Sequence, residues 1–154
     1  GNLRKVKDPY YLEKVFEKLS DKNIILVHVG KVIDDFELKY SKGIYNIGPL
    51  NSSQINSLYK QVDGLVNTSI SEGMASSILE AMINKCPVFS RDNEGNQSII
   101  KNNYNGFLFN LPEDFLKLYN LDTSHIISNA YNYVLNNHNI FNERKSYLKL
   151  IKNP

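Results

Sequence analysis

Residues 64–83 read GLVNTSISEGMASSILEAMI, and this stretch predicts a strand, a polar loop and a helix in succession. Gly64 to Val66 is a short apolar run of the kind found in buried strands. Ala75 to Asn84 carries apolar residues at helical spacing, among them Ile78 and Met82. A strand that leads through a loop into a helix is the repeating unit of α/β folds, so this stretch indicates that class.

The same alternation extends along the rest of the chain. Further short apolar runs predict strands at residues 2–4, 24–29, 43–47, 87–90 and 107–109. The intervening patterns predict helices at residues 8–19, 52–59 and 96–101, a short helix or loop at 33–42, and three helical pieces from 112 to 152. We therefore expect an α/β domain spanning residues 1–154, with a Rossmann-like parallel sheet, helices on both faces and a helical C-terminal tail.

Composition narrows the class of partner. The chain has 154 residues with 18 basic and 16 acidic side chains well mixed, which is not the footprint of a nucleic-acid-binding protein. No apolar run reaches 18 residues, so we expect no transmembrane helix. The single cysteine, Cys86, excludes an internal disulfide and a multi-cysteine zinc site. It fits a reducing compartment, and we expect a cytoplasmic protein.

The loop after the strand at residues 64–66 is the first candidate site. Ligands of open α/β sheets bind at the carboxyl ends of the strands. The first amides of the following helix lack internal partners and the helix dipole is positive there, which favours a phosphate. Small residues at this turn let a ligand approach the backbone: Gly73, Ala75, Ser76 and Ser77.

Charged residues flank the same edge of the predicted sheet. Glu72 and Glu80 are eight positions apart, so a helix would place them about 12 Å apart along its axis, where both could meet ligand hydroxyls. Arg4 and Lys7 follow the first predicted strand, and two cations there could meet a diphosphate. Spacing alone leaves a structural alternative open, in which these four residues are exposed surface charges that bind no ligand.

Two other residues with reactive side chains are expected to pack in the core rather than to take part in chemistry. His28 lies inside an apolar run, so we expect a packed core histidine rather than a base. Cys86 lies between a helix and a strand, and we expect inert packing there.

Residues 71–82, SEGMASSILEAM, resemble the signature of GT-B glycosyltransferases of the group 1 (family 4) type, in which seven residues separate two glutamates. Other elements resemble the family in the same order. They are the Arg/Lys turn within residues 1–8, the second strand at 27–30, the nucleobase region at 45–50, and the closing segments 87–90, 95–96 and 106–109. The resemblance covers about residues 1–115 and implies the C-terminal, donor-binding half of a GT-B fold.

This resemblance implies a retaining glycosyltransferase that uses a nucleotide-diphosphate sugar of UDP or GDP type and needs neither cofactor nor metal ion. Glu72 would approach the sugar hydroxyls, while Arg4 and Lys7 would stabilise the departing diphosphate. Ala75 replaces the glycine of many members, which implies a narrower sugar pocket. The donor-binding set would be Gly30, Gly48, Pro49, Leu50, Gly73, Met74, Ala75, Ser76, Ser77 and the ribose ligand Glu80.

The resemblance also implies an N-terminal acceptor domain, which residues 1–154 do not supply. We therefore expect the isolated chain to be inactive, since the reacting centre lies between two domains. The sequence does not identify the acceptor molecule. Two alternatives remain, a nucleotide-sugar epimerase-like enzyme of the same fold and a non-catalytic donor-binding module or subunit.

Overall fold

Short parallel strands and helices alternate along the chain in the computed structural model, which describes residues 2–33, 36–39 and 41–138. The strands are β1 (Leu26–His28), β2 (Ile44–Asn46), β3 (Leu65–Asn67), β4 (Val88–Arg91) and β5 (Phe107–Phe109). The α-helices are α1 (Glu13–Leu19), α2 (Ser52–Tyr59), α3 (Ser76–Ile83), α4 (Glu94–Gln97), α5 (Pro112–Leu118) and α6 (Ser124–Asn137). The parallel sheets flanked by helices confirm the predicted fold class.

The strands form two parallel sheets joined through the N-terminal segment. β1 pairs with β2, and β3, β4 and β5 pair in that order. Leu3 forms a parallel bridge with Val32, just beyond β1. The Val6 carbonyl accepts from the Ile70 amide at 2.9 Å, just beyond β3. The segment around residues 3–6 therefore lies between the two sheets, in the central place that the first strand takes in a doubly wound fold.

Two apolar clusters fill the two sides of the fold. Phe115 of α5 lies 5.5 Å, centroid to centroid, from both Phe16 and Phe89, in a cluster of α1, β4, β5 and α5. On the other side, Ile78 and Met82 of α3 belong to a cluster that includes Ala130 and Val134 of α6. The two clusters therefore pack on opposite faces of β4, between two layers of helices. This packing fixes the strand ends where the candidate site lies.

The predicted helix start at Asp8 is wrong. Asp8 adopts a left-handed conformation (φ 41°) and ends a 3-10 helix at Lys5–Lys7, while α1 begins five residues later at Glu13. The predicted first strand is also shorter than expected, because Leu3 contributes only its bridge to Val32. An aspartate before a proline is typical of a helix start. The Asp8 side chain instead accepts a hydrogen bond from Arg91.

The helix predicted at residues 52–59 has those bounds as α2, and Asn51 caps it in a capping box with Gln54. Other boundaries differ by a few residues. The helix predicted from residue 96 begins at Glu94, where the Asn93 side chain accepts from the Asn96 amide. Of the three helical pieces predicted from 112 to 152, α5 and α6 are two, and the part of that prediction beyond residue 138 lies outside the described residues.

The apolar run at residues 24–29 predicts a strand buried on both faces, but the observed strand is shorter and more exposed. β1 spans three residues, and the flanking Ile25 is exposed. Of the segment predicted as a short helix or loop at 33–42, residues 36–39 and 41–42 form no helix. His28 is packed as expected, since its ring contacts Tyr10. Burial lowers the pKa of His28, and its hydrogen bond with Asn46 opposes this shift in part.

No helix among the described residues is long and apolar enough to cross a membrane.

Candidate active site

The loop after β3 directs Glu72 toward the N-terminal turn. Glu72 Oε1 accepts three hydrogen bonds, from Lys7 Nζ at 2.5 Å, Ser69 Oγ at 2.7 Å and Asn67 Nδ2 at 3.4 Å. Asn67 Oδ1 in turn accepts from the Ser69 amide at 3.0 Å, which shapes the loop locally. The carboxylate is therefore held by partners on its own loop and by a cation 65 positions earlier in the chain.

Glu72 is ionised and largely covered by its partners. Its side chain is 10% exposed and that of Lys7 is 29% exposed. Burial alone would raise the pKa of Glu72, but the hydrogen bonds and the charge of Lys7, with Ser69 and Asn67, together lower it. A charged carboxylate and a charged ammonium thus face each other at the carboxyl edge of the sheet.

Lys7 and Arg4, predicted as a pair, occupy different environments. The Lys7 carbonyl accepts from Thr68 Oγ1 at 2.9 Å, so both its backbone and its side chain contact the β3 loop. Arg4 precedes the 3-10 helix in extended backbone and is exposed, and it forms no ion pair within residues 2–33, 36–39 and 41–138. The structure therefore brings Lys7, and not Arg4, to Glu72.

The N-terminus of α3 opens next to Glu72. Ala75 is buried at the N-cap, where its methyl group offers the helix amides no acceptor. Gly73 and Met74 are exposed, and a β-carbon added to Gly73 would meet nothing within 4 Å. The turn thus leaves room beside the first amides of α3, at Ser76 and Ser77, for an anionic group.

Two residues outside the predicted site set support this loop, although Gly95 lies in one of the segments that resemble the family. A β-carbon on Gly95 would lie 2.1 Å from the Glu72 carbonyl oxygen, so α4 packs its glycine directly on the loop backbone. The Asn93 side chain donates to the Ser69 carbonyl at 2.9 Å while also capping α4. The signal available in the sequence was the Gly95-Asn96 pair, which carried no contact information by itself.

The ends of β1 and β2 meet through two of the predicted donor-binding residues. The Gly30 amide donates to the Gly48 carbonyl at 2.9 Å. Gly48 has φ 75°, a left-handed conformation that favours glycine, and a β-carbon there would meet nothing within 4 Å. Pro49 follows and is exposed. This part of the edge therefore offers backbone rather than side chains to a ligand.

A pocket of about 300 Å³ lies between the start of α2 and the side of α3. Its lining consists of Leu50, Ser52, Ile55, Asn56 and Glu80. Two predicted donor-binding residues, Leu50 and Glu80, thus share one pocket. Ser52, Ile55 and Asn56 are additions that the sequence pattern could not supply, because they lie on a helix recognised only by its cap and apolar face.

Tyr59 at the end of α2 contacts α3 beside Glu80. Its hydroxyl donates to the Ser77 carbonyl at 3.3 Å. Burial, together with the Glu80 carboxylate, raises the pKa of the Tyr59 phenol well above its usual value. The phenol therefore stays protonated and donates to the Ser77 carbonyl beside Glu80.

Solved structures identify the class. The chain superposes on the C-terminal domain of the glycosyl transferase group 1 family protein LpcC from Francisella tularensis (TM-score 0.72, 25% identity, 91% of this chain and 84% of that one). It also superposes on Anabaena Alr3699/HepE, solved in complex with UDP and glucose (TM-score 0.83, 16% identity, 100% of this chain and 47% of that one). The fold is thus that of a GT-B glycosyltransferase domain.

Sequence comparison then places the chain within that class. The family profile of group 1 glycosyl transferases matches residues 1–118, and the chain belongs to this family. It is 39% identical to glycosyltransferase 1 domain-containing protein 1 of Xenopus tropicalis, over 98% of this chain and 48% of the relative. It is 28% identical to the Escherichia coli UDP-Gal:alpha-D-GlcNAc-diphosphoundecaprenol alpha-1,3-galactosyltransferase, over 73% of this chain and 32% of the relative. The chain thus spans about half the length of the first relative and a third of the second.

Proposed function

We propose that the chain is the donor-binding domain of a retaining glycosyltransferase of the family 4 type, which transfers a hexosyl group from a nucleotide-diphosphate sugar. The observation that carries this proposal is the contact between Lys7 and Glu72 beside the open N-terminus of α3. It places a cation, a carboxylate and unpaired helix amides at one edge of the sheet. A sugar diphosphate needs these three partners for its phosphates and its hydroxyls.

Glu72 and the α3 amides divide the donor between them. The Glu72 carboxylate accepts hydrogen bonds from the sugar hydroxyls, exchanging some of its present donors for them. The amides near Gly73 to Ser77, with Met74 at the rim, bind the phosphate nearest the sugar. The open space at Gly73 supports this arrangement, because a ligand can approach the backbone there.

The cations act on the leaving group. When the bond between the sugar and the diphosphate breaks, negative charge grows on the departing phosphate oxygen, and a fixed cation stabilises that charge more than it stabilises the bound donor. Lys7 lies at the edge of the site and supplies this charge. Arg4, exposed at the start of the same turn, contributes by moving onto the diphosphate. With two side-chain cations in this role, transfer needs no divalent metal ion or cofactor.

The pocket beside Glu80 receives the nucleoside. Glu80 binds the ribose hydroxyls, and the backbone around Gly30, Gly48 and Pro49, with Leu50, faces the base. UDP is the nucleotide we favour over GDP, because Anabaena Alr3699/HepE was solved in complex with UDP and the Escherichia coli relative is a UDP-Gal galactosyltransferase by name.

The acceptor binds outside this domain. Since the chain spans 48% of the Xenopus relative, we propose that an N-terminal acceptor domain completes the enzyme, which acts in the cytoplasm. The isolated domain then binds the donor without transferring the sugar at the full rate, because an open half-site does not exclude water or orient an acceptor.

Calorimetric titration with UDP, GDP and UDP-glucose tests the proposal. We expect UDP to bind in the micromolar to millimolar range, Glu80→Ala to abolish binding, and Glu17→Ala, at an exposed position of α1, to bind as the wild type does. Failure of every nucleoside diphosphate to bind would refute the proposal. Conversion of the sugar nucleotide into an epimer without any acceptor would instead establish an epimerase.

A further inference from the structure

A second ion pair joins the N-terminal turn to the end of β4. Asp8 Oδ2 accepts a hydrogen bond from Arg91 Nη1 at 2.9 Å, and the two side chains are 33% and 25% exposed. The guanidinium also lies over the Tyr11 ring, 3.9 Å from its centroid. Tyr11 is itself anchored, because its hydroxyl donates to the Asn110 carbonyl at 2.6 Å. An ionic contact and a cation–π contact therefore fix Arg91, and Arg91 fixes Asp8.

Asp8 directly follows Lys7, and its backbone makes a sharp turn. Its φ of 41° and ψ of 56° are left-handed, a conformation that costs free energy for residues other than glycine and is maintained by surrounding contacts. The Thr68 hydroxyl binds the Lys7 carbonyl on the other side of the turn. The backbone that carries the ammonium is thus held at two successive residues.

A lysine side chain is long and flexible, so the position of its ammonium depends on how firmly its backbone is held. The contact with Glu72 joins residues 65 positions apart and has no local sequence to enforce it. We infer that Asp8 and Arg91 are positioning residues, which hold the turn so that the Lys7 ammonium meets Glu72 and, in the proposed function, the donor diphosphate. Its consequence for nucleotide binding rests on that proposed function.

Asp8→Asn tests the inference, because a positioning role and a purely electrostatic role of Asp8 would shift the pKa of Glu72 in opposite directions. Asparagine tolerates the left-handed backbone and keeps the shape of the side chain, so the variant removes the charge alone. If Asp8 acted on Glu72 only through its charge, removing a nearby negative charge would lower the pKa of Glu72 further. If Asp8 positions Lys7, the variant loosens the Lys7–Glu72 contact, and the pKa of Glu72 rises.

The pKa of Glu72 is measured by NMR titration of its carboxyl carbon in the nucleotide-free chain. We expect a rise in Asp8→Asn and no change in the matched control Asp21→Asn, which removes the same charge from the exposed pair with Lys42. An unchanged or lowered pKa in Asp8→Asn overturns the inference.

A neutral variant covers the case in which Asp8→Asn does not fold. Tyr11→Leu removes the ring beneath Arg91 without changing any charge, whereas Tyr11→Phe keeps the ring and loses only the hydrogen bond to Asn110. We expect the pKa of Glu72 to rise in Tyr11→Leu and to stay near the wild-type value in Tyr11→Phe. Equal values in the two Tyr11 variants would overturn the inference.

Calorimetry with UDP separates this inference from the proposed function. We expect Asp8→Asn to weaken UDP binding about three- to thirtyfold, which lies within the range of coupling energies between residues in contact. If UDP fails to bind even the wild type while the pKa of Glu72 rises in Asp8→Asn, the proposed function fails and the positioning role stands. If UDP binds Asp8→Asn as tightly as the wild type, the positioning role fails and the proposed function stands.

Discussion

Gly95 packs against the backbone of Glu72 so closely that a β-carbon at position 95 would lie 2.1 Å from the Glu72 carbonyl oxygen. The β-carbon of Glu72 itself would be 2.8 Å away. Because the obstacles are mainly backbone atoms, they cannot rotate aside as a side chain would. The loop or the helix α4 has to move to accommodate any larger residue.

Gly95→Ala therefore displaces the loop that carries Glu72. We expect the variant to lose about 1–3 kcal/mol in its free energy of unfolding and to bind UDP more weakly. Urea unfolding followed by circular dichroism measures the first effect and calorimetry the second.

Gly73→Ala is the matched control for stability, because a β-carbon there meets nothing within 4 Å. We expect its free energy of unfolding to stay within about 0.5 kcal/mol of the wild-type value. Equal stabilities of the two alanine variants would contradict the packing described for Gly95.

Glu72→Gln changes the pH dependence of stability. The pKa of Glu72 is lower in the folded chain than its unfolded value of about 4.3, so the carboxylate stabilises the fold above that pH. This stabilisation is lost as the pH falls through the folded pKa. We expect Glu72→Gln to lose about 1–2 kcal/mol at pH 7, where Lys7 is left without its counter-ion, and to lose less than the wild type on acidification. Urea unfolding between pH 7 and pH 3 measures the difference.

Glu17→Gln, at an exposed position of α1, serves as the control for that titration. Its stability should follow the wild-type curve. Parallel acid profiles for Glu72→Gln and the wild type would show that Glu72 titrates in the folded chain as it does in the unfolded one.

Tyr59→Phe removes a hydroxyl that binds the Ser77 carbonyl beside Glu80. Because the hydroxyl is half-buried, its loss should cost about 0.5–1.5 kcal/mol of stability. UDP should also bind more weakly, since Glu80 loses a neighbour that restricts its orientation. Tyr104→Phe removes a hydroxyl from an exposed tyrosine just before β5 and should change neither quantity. Identical affinities in both variants would show that Tyr59 does not affect nucleotide binding through Glu80.

Cys86 should be unreactive in the folded chain. It is 2% exposed, and burial raises the pKa of its thiol to about 11. Ellman's reagent at pH 8 should therefore label it only after unfolding in denaturant, because the thiolate is the reactive form. Rapid labelling of the native chain would indicate that the α3–β4 junction opens.

The strand–helix order could be predicted because the apolar periodicity of each element is local. The stretch that contains β3 and α3 shows this best, since buried apolar residues and a polar loop alternate within twenty positions. The start of α1 could not be predicted in this way. Asp8 is a good helix cap by composition, but its left-handed backbone ends the 3-10 helix and its side chain binds Arg91, 83 positions away, which no local pattern reports.

In the candidate site, too, local features could be predicted from the sequence and long-range contacts could not. Glu72 and the α3 N-terminus follow from a contiguous motif. The pairing of Lys7 rather than Arg4 with Glu72 does not, because both cations lie in one turn and only tertiary packing distinguishes them. The supporting roles of Tyr59, Asn93 and Gly95 could not be predicted for a similar reason, since each contacts the site from a neighbouring element.

The long-range contacts of the N-terminal turn link ligand binding to the stability of the whole domain. Lys7 and Asp8 reach their partners only when β3 and β4 are in place, so an unfolded or partly unfolded chain has no competent site. A ligand that binds only the folded state stabilises it by mass action, by about 2.7 kcal/mol at a concentration of one hundred times Kd. If the proposed function holds, saturating nucleotide should then raise the melting temperature of the domain and slow its proteolysis.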